Sequence, residues 1–376
     1  MARLEDICSI NMGQSPESSS YNENGEGMPF FQGNADFGEL HPTVRIWCDA
    51  PTKIAECGDI LISVRAPIGA LNIADKQCCI GRGLAALTVN ETLCSPKYLW
   101  YGLECKVDEL NSKGTGSTFK AINKRILAET EIPLPPLEEQ RRITAALDKV
   151  SELIAKRRAQ LDKLDLLVKS RFVEMFGDPV DNPYDWTVAN LTDIGECKNG
   201  MNFHTDDSGV EIHCLGVGDF KDLSIIEDTS KLPMISLNKV PSDDYLLADG
   251  DIVFVRSNGN KALVGRSVAV FPKDIPTTFS GFCIRFRIQN ITILPSYLLR
   301  VLKTDSMRKK MVGRGANIQN LNQKILASLS IPIPALELQE EFELFVQKID
   351  KSKTTIQQSL DKLEMLKRVM MQQYFG

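Results

Sequence analysis

The side chains of this sequence best suited to chemistry are donors rather than nucleophiles. Gly114-Thr115-Gly116-Ser117-Thr118-Phe119-Lys120 offers backbone N–H groups, hydroxyls and an ammonium, all of them good ligands for phosphate oxygens. It lies in the window 113–125, which carries Lys113, Lys120, Lys124 and Arg125 and no acid. The window 256–273 carries Arg256, Lys261, Arg266 and Lys273, again without an acid. Its first stretch, Arg256-Ser257-Asn258-Gly259-Asn260-Lys261, combines arginine, whose fork fits a guanine edge, with Asn258 and Asn260, whose amides fit an adenine edge. A third window, 303–324, sets Lys303, Arg308, Lys309, Lys310, Arg314 and Lys324 against Asp305 alone. Within it, Arg314, Asn317 and Gln319 stand in the stretch Gly313-Arg314-Gly315-Ala316-Asn317-Ile318-Gln319-Asn320. The bland alternative for each stretch is a tight turn whose glycines only permit positive φ.

Nothing in the chain competes with this binding chemistry. Three histidines stand at no ligand spacing to the ten cysteines, Cys78 and Cys79 are adjacent, and no C-x-x-C pair occurs. The cysteines therefore read as small buried hydrophobes. There is no G-x-x-x-x-G-K-[ST], no G-x-S-x-G and no H-E-x-x-H. Asp181-Asn182-Pro183-Tyr184 has one proline fewer than the tetrapeptide of amino-methyltransferases, and reads better as a linker. Leu215-Gly216-Val217-Gly218-Asp219 lacks the helix pattern and later acid of a cofactor turn. No catalytic constellation and no metal site is expected.

The elements that must position these loops are written twice. Ile132-Pro133-Leu134-Pro135-Pro136-Leu137, Leu161-Asp162-Lys163-Leu164 and Phe176-Gly177 return 199 residues later as Ile331-Pro332-Ile333-Pro334-Ala335-Leu336, Leu360-Asp361-Lys362-Leu363 and Phe375-Gly376. Gly58-Asp59-Ile60 returns as Gly250-Asp251-Ile252, which places Arg65 and Arg82 of the first copy near the counterpart of the Arg256 stretch. Each copy opens with short strand signals: Ile60 to Val64, Leu84 to Val89, Ile252 to Val255, and Phe282 to Ile288, which alternates as a half-buried strand should. A helix is expected after Ser95-Pro96 and again after Leu294-Pro295-Ser296, with serine as N-cap in each and proline in the first turn of the first copy only.

A long amphipathic helix closes each copy. Pro135-Pro136 suits a helix start, and Glu138 and Glu139 suit its first turn. Ile143, Leu147, Val150, Ile154, Leu161, Leu164, Val168 and Met175 form one apolar stripe; Phe342, Val346, Ile349, Ile356, Leu360, Leu363 and Met370 form the other. Arg157, Arg171, Lys353 and Lys367 interrupt them, and such breaks help to fix register. Forty residues make about 60 Å of helix. The economical burial of both stripes is mutual and antiparallel; the alternative docks each helix on its own domain. A duplicated chain of this kind suits a two-fold partner touched at two separated places, and duplex DNA is the commonest.

Bulk properties agree. The chain has 376 residues, 43% hydrophobic and 25% charged, ordinary for a soluble protein of two or three domains. A net charge of −5 counts mildly against nucleic acid, but binding depends on where charge sits. No apolar run approaches a membrane span and no signal-peptide pattern opens the chain, so the reading is cytoplasmic, with no membrane partner.

On these motifs, with Gly81-Arg82-Gly83-Leu84, Gly114 to Asn123, Ile132 to Gln140 and, in the second copy, Asp251 to Arg256 with Val264-Gly265-Arg266, the sequence resembles the DNA-specificity subunit of a type I restriction–modification enzyme over its whole length. Ala335 stands where the first copy has a second proline, and Gly313 to Asn320 lacks the Ser-Thr-Phe run. The resemblance implies an α+β fold: two α/β target-recognition domains in a pseudo-two-fold tandem repeat, separated by two long antiparallel coiled-coil helices. The divisions are 1–131, recognition domain 1; 132–177, central spacer helix; 178–330, recognition domain 2; and 331–376, C-terminal spacer helix. It implies recognition of a bipartite duplex, without catalysis or cofactor in this chain. Two modification subunits would hold S-adenosylmethionine, and restriction subunits would use ATP and magnesium. DNA contacts would come from Arg65, Arg82, Lys113, Ser117, Thr118, Lys120, Lys124, Arg256, Asn258, Asn260, Lys261, Arg266, Arg314, Asn317 and Gln319. Other readings remain open at this point: the specificity subunit of a related enzyme with a fused methylase–nuclease partner, a DNA-free helical scaffold, or a methyltransferase.

Overall fold

The repeated Gly-Asp-Ile opens the same strand in both copies. A computed structural model describes residues 1–116, 120–204, 206–220, 225–312 and 320–376, with Lys261 and Val312 described by their backbone alone. Gly58 and Gly250 turn at φ +91° and +84°, a conformation that favours glycine. The buried Asp59 and Asp251 that follow each accept a backbone N–H from three residues earlier, Glu56 N at 2.8 Å and Ala248 N at 2.7 Å. The repeated aspartate is therefore a turn builder.

The chain divides into two units: unit 1, Met1–Gln160 with Ile356–Gly376, and unit 2, Leu161–Thr355. In unit 1 the main sheet runs Cys8–Met12, Leu84–Val89, Ile60–Ser63, Leu71–Ile73, all antiparallel. In unit 2 it runs Gly195–Asn199, Cys283–Ile288, Asp251–Val255, Ser267–Val270, with Ile225–Ile226 added in parallel. A second sheet lies in each unit. That of unit 1 pairs Phe30 and Phe31 in parallel with Cys79 and Ile80; that of unit 2 pairs His213 to Leu215 with Thr277 to Phe279. Small antiparallel pairs tie the start of each copy to the strand before its long helix, Ala2 to Ile132 and Val188 to Pro332.

Two sequence expectations need correction here. The strand Cys283–Ile288 is not half-exposed: Arg285 on its polar side is 1% exposed and donates from Nη2 to Glu196 at 3.1 Å. Val253, opposite it in register, belongs to the core with Phe220, Val268 and Phe279, so both faces of the strand are covered. The helix Pro295–Lys303 also starts differently. Its cap residue is Leu294 rather than Ser296, and proline occupies its first turn too; Pro96–Cys105 starts as expected, with Ser95 at the cap position, though without a side-chain cap bond.

The long helices run Leu137–Phe176 and Leu336–Phe375. Each belongs to unit 1 over one part and to unit 2 over the other. In unit 1, Ile143 and Leu147 share a core with Tyr98, Ile132 and Phe375, and Arg158 meets Glu364 at 2.6 Å. In unit 2, Val168, Phe172 and Phe176 share a core with Tyr297, Phe342 and Val346. There Lys353 pairs with Asp165 at 2.6 Å and Arg171 with Glu341 at 2.9 Å. Partner numbers fall as helix numbers rise, so the segments run antiparallel. The repeated Phe-Gly thus ends on the opposite copy: Phe176 lies 4.9 Å from the Tyr297 ring, and Phe375 lies 4.9 Å from the Tyr98 ring. Docking of each helix on its own domain accounts for only one end of it. Three of the four stripe breaks work at these contacts; the third, Lys367, pairs with Glu104 at 3.6 Å and lies 5.5 Å over the Tyr101 ring. Exposed ion pairs give about 0–1 kcal/mol each, so they choose register while the buried aromatics, at about 1.5–3 kcal/mol apiece, supply the stability.

Candidate nucleic-acid interface

Each unit joins its two candidate segments by the same backbone bonds. In unit 1, Ile122 N donates to Val64 O at 2.9 Å and Ala66 N to Lys120 O at 3.2 Å. Isolated bridges link Ala121 to both Arg65 and Thr115. The helix Lys124–Ala128 then starts behind Asn123, whose side chain accepts from Ile126 N at 3.0 Å. These bonds carry Arg65, Lys120 and Lys124 on one joined rim, and all three are exposed. Unit 2 repeats the scheme. Leu321 N donates to Arg256 O at 2.8 Å, Ser257 bridges to Asn320, and Asn322 caps Gln323–Ala327 through Ile325 N at 2.9 Å.

The shared frame fixes the side-chain correspondence. Ser257, not Arg256, stands where the first copy has Arg65, and Arg256 stands at the place of Val64, which is 2% exposed. Arg256 is accordingly half-buried and donates from Nη1 to Gly281 O at 3.4 Å. Asn258 and Asn260 use their side-chain oxygens on the turn, accepting from Asn260 N at 2.8 Å and Ala262 N at 3.0 Å. A base edge would meet their NH2 groups. Lys113 turns away from the rim to Glu109 at 2.6 Å, one helical turn earlier. Arg82 is exposed, its backbone N–H bonded to Ser15 Oγ at 3.3 Å; the nearby Tyr21 ring stacks on Phe30 at 4.8 Å. Arg266 lies half-buried beside Arg300, Lys303 and Arg308. Ser117, Thr118, Arg314, Asn317 and Gln319 lie outside the described residues, as does the Lys261 side chain.

The residues that tie the loops 93–95 and 292–294 and the proline stretches to the long helices carry no charge, so a search for charged donors passes them by. Gln140, fully buried, accepts from Ser95 N at 2.9 Å and donates to Leu93 O at 3.0 Å and Pro135 O at 2.8 Å. Gln339, equally buried, accepts from Leu294 N at 2.9 Å and donates to Thr292 O and Pro334 O, both at 2.9 Å. Tyr98 donates to Pro133 O at 3.1 Å and Tyr297 to Pro332 O at 2.9 Å. The 199-residue offset was the signal available for both pairs.

The profile of the type I restriction modification DNA specificity domain matches the chain twice, at residues 1–164 and 183–365. The chain belongs to that family. It is 44% identical over 156 residues to the putative type I restriction enzyme MjaX specificity subunit of Methanocaldococcus jannaschii, a match spanning 42% of this chain and 37% of that relative. It is 26% identical over 317 residues to the MjaVIII specificity subunit of the same organism, spanning 79% of this chain and 73% of the relative. The solved S subunit of a type I restriction-modification system from M. genitalium covers 100% of this chain and 95% of its own, at 16% identity and a TM-score of 0.56. That likeness extends the fold to the whole chain: two α+β specificity domains in tandem, with two long helices.

Proposed function

We propose that this chain is the sequence-reading subunit of a type I restriction–modification complex, and that it reads a bipartite duplex DNA target with one half-site per specificity domain. The observation that carries the reading is the doubled rim. Val64-Arg65 against Lys120 to Ile122, and Arg256-Ser257 against Asn320-Leu321, are built by the same bonds in two domains of one DNA-specificity family. Exposed Arg65, Lys120 and Lys124 neutralise phosphates in the first half. In the second, Asn258, Asn260 and Arg256 approach base edges. The chain performs no reaction. Two modification subunits supply methylation from S-adenosylmethionine, and restriction subunits supply ATP- and magnesium-dependent work. Among the described residues no helix is long and apolar enough to cross a membrane, and the complex acts in the cytoplasm.

The test is selection of duplexes from a randomised pool by the full chain. The reading requires a retained motif in two parts with an unread gap. Neutralising Arg65, Lys120 and Lys124 together should weaken binding to all sequences alike and flatten the salt dependence by about 0.9 per lost phosphate contact. Retention of no duplex, or of one undivided motif, refutes it.

A further inference from the structure

The rim of unit 2 displays an aromatic ring at a place where the rim of unit 1 has no room for a side chain. Phe282 opens the alternating run Phe282 to Ile288, in which Ile284 and Phe286 are fully buried, yet Phe282 itself is 61% exposed. Among the described residues it belongs to neither apolar core of unit 2. Lone exposed apolar side chains are common on proteins, so exposure by itself assigns no role. The setting of this ring does. Phe282 O accepts from Arg256 N at 2.8 Å and from Ser257 N at 3.4 Å, so the residue is bonded directly to the start of the 256–260 stretch. Arg256 Nη1 adds its bond to Gly281 O at 3.4 Å. The turn is braced further by Gly281 N to Met201 O at 2.8 Å, Cys283 N to Ser280 O at 2.8 Å and Phe282 N to Ser280 Oγ at 3.3 Å. The ring therefore stands on a fixed backbone, on the rim that continues into Asn258 and Asn260, and a contact made by it costs little ordering entropy.

The first copy fixes the correspondence. Val64 N donates to Gly83 O at 2.9 Å as Arg256 N donates to Phe282 O, and Leu84 N donates to Gly81 O at 3.0 Å as Cys283 N donates to Ser280 O. Phe282 thus stands at the place of Gly83. A Cβ on Gly83 would lie 2.4 Å from Gln32 O and 3.2 Å from Gly33 Cα, so unit 1 admits no side chain there. Its exposed side chain at this turn is Arg82, at the place of Gly281. The same turn presents a cation in one copy and an apolar ring in the other. Arginine suits a guanine edge; a phenyl ring suits the 5-methyl group of thymine, the apolar group that the major groove displays. In an A·T pair that methyl lies beside the adenine edge that an asparagine amide reads. Asn258 and Asn260 supply such amides on the same rim, with their oxygens holding the turn.

We infer that Phe282 is a specificity-determining residue: it meets the 5-methyl group of a thymine in the half-site of unit 2, in an A·T pair whose adenine edge faces the amide of Asn258 or Asn260. The inference deepens the function proposed above and rests on it. The two half-sites then differ in how thymine is read, because unit 1 has glycine at that place.

The experiment measures binding of the full chain and of F282A to the two-part duplex that the wild type selects. Each thymine of both halves is replaced in turn by uracil, which lacks only the 5-methyl group. One buried carbon of this kind is worth about fourfold in affinity. For the wild type, uracil at one position in one half should weaken binding by about that factor. F282A should melt as the wild type does, since the ring is exposed, and should bind thymine and uracil alike at that position. A wild type indifferent to uracil at every position overturns the inference. So does an F282A that discriminates as the wild type does, or one that binds more weakly with the thymine–uracil difference intact, which would make the ring a wedge between base steps. A selected motif without any A·T pair overturns it too. In each of these cases the proposed function stands. A wild-type chain that binds no duplex refutes that function, and the inference falls with it.

Discussion

Replacing Gln140 by leucine should loosen the first specificity domain from the long helix without removing any apolar contact. The amide ties Ser95 N, Leu93 O and Pro135 O in a site with no solvent exposure. Leucine fills the space but strands one N–H and two carbonyls. An unsatisfied buried group costs about 1–3 kcal/mol, with a stranded carbonyl at the low end, so the sum is about 3 kcal/mol. For a unit of this size that lowers the melting temperature by about 6–12 °C. Scanning calorimetry of the full chain should show the loss in the transition of unit 1, and Q339L should show it in that of unit 2. Amide exchange should place it: Ser95 N–H loses protection in Q140L while Leu294 N–H keeps it. Q140E adds a sign check. Its carboxylate keeps an acceptor for Ser95 but faces two carbonyls, so burial and those oxygens raise its folded pKa above the unfolded one. Stability is then present at low pH, where the carboxyl donates, and lost as pH rises through the folded pKa. A Q140L chain that melts within about 1 °C of wild type with Ser95 still protected would refute the reasoning, because no clasp of three bonds could be lost so cheaply.

Other outcomes follow from the same structure. Adding one heptad to both long helices, after Gln160 and before Ile356, lengthens them by about 10 Å. The selected gap between half-sites should grow by about three base pairs at ~3.4 Å each; an unchanged gap counts against the helices as a spacer. Phe375→Ala removes the ring that meets Tyr98 and should cost about 3–5 kcal/mol, read as an early transition of unit 1 in urea; a loss under about 1 kcal/mol would mean the Phe-Gly end is not part of that core. Of the ten cysteines only Cys57 is exposed, while burial pushes the thiols of Cys8, Cys78, Cys214 and Cys283 up to about 12. A thiol reagent at pH 8 should therefore label Cys57 quickly and those four only after unfolding. Rapid labelling of any of the four in the native chain would contradict their burial.

What the sequence disclosed was what the duplication repeats. Gly58 and Gly250, the proline-rich entries to the helices and the terminal Phe-Gly all recur at fixed offsets, so strands and helices could be placed from them. The second sheets were hidden, because Phe30-Phe31 and His213 to Leu215 lie in stretches with no counterpart pattern and pair with strands far along the chain. Alternation misread Cys283–Ile288 because it reports polarity, not what covers the polar face; Arg285 is 1% exposed and is satisfied through Glu196 only at Nη2. Ser296 looked like a cap by residue type, yet Pro295 had already set the first turn one residue earlier. The basic loops were legible as composition, but composition does not separate Lys124, exposed on the rim, from Lys113, folded back on Glu109. Arg266, Lys303 and Arg308 were scattered over the windows 256–273 and 303–324 and came together only through tertiary packing.

Under the proposed function, this chain alone sets which duplex sequence a methylating complex marks. Mapping methylated bases across the genome of the strain that encodes it, with the gene present, deleted and restored, tests that claim most directly. The account predicts one two-part motif, methylated when the gene is present, lost on deletion and regained on restoration. Methylation that persists unchanged without the gene, or loss of a motif that is not divided in two, would contradict it.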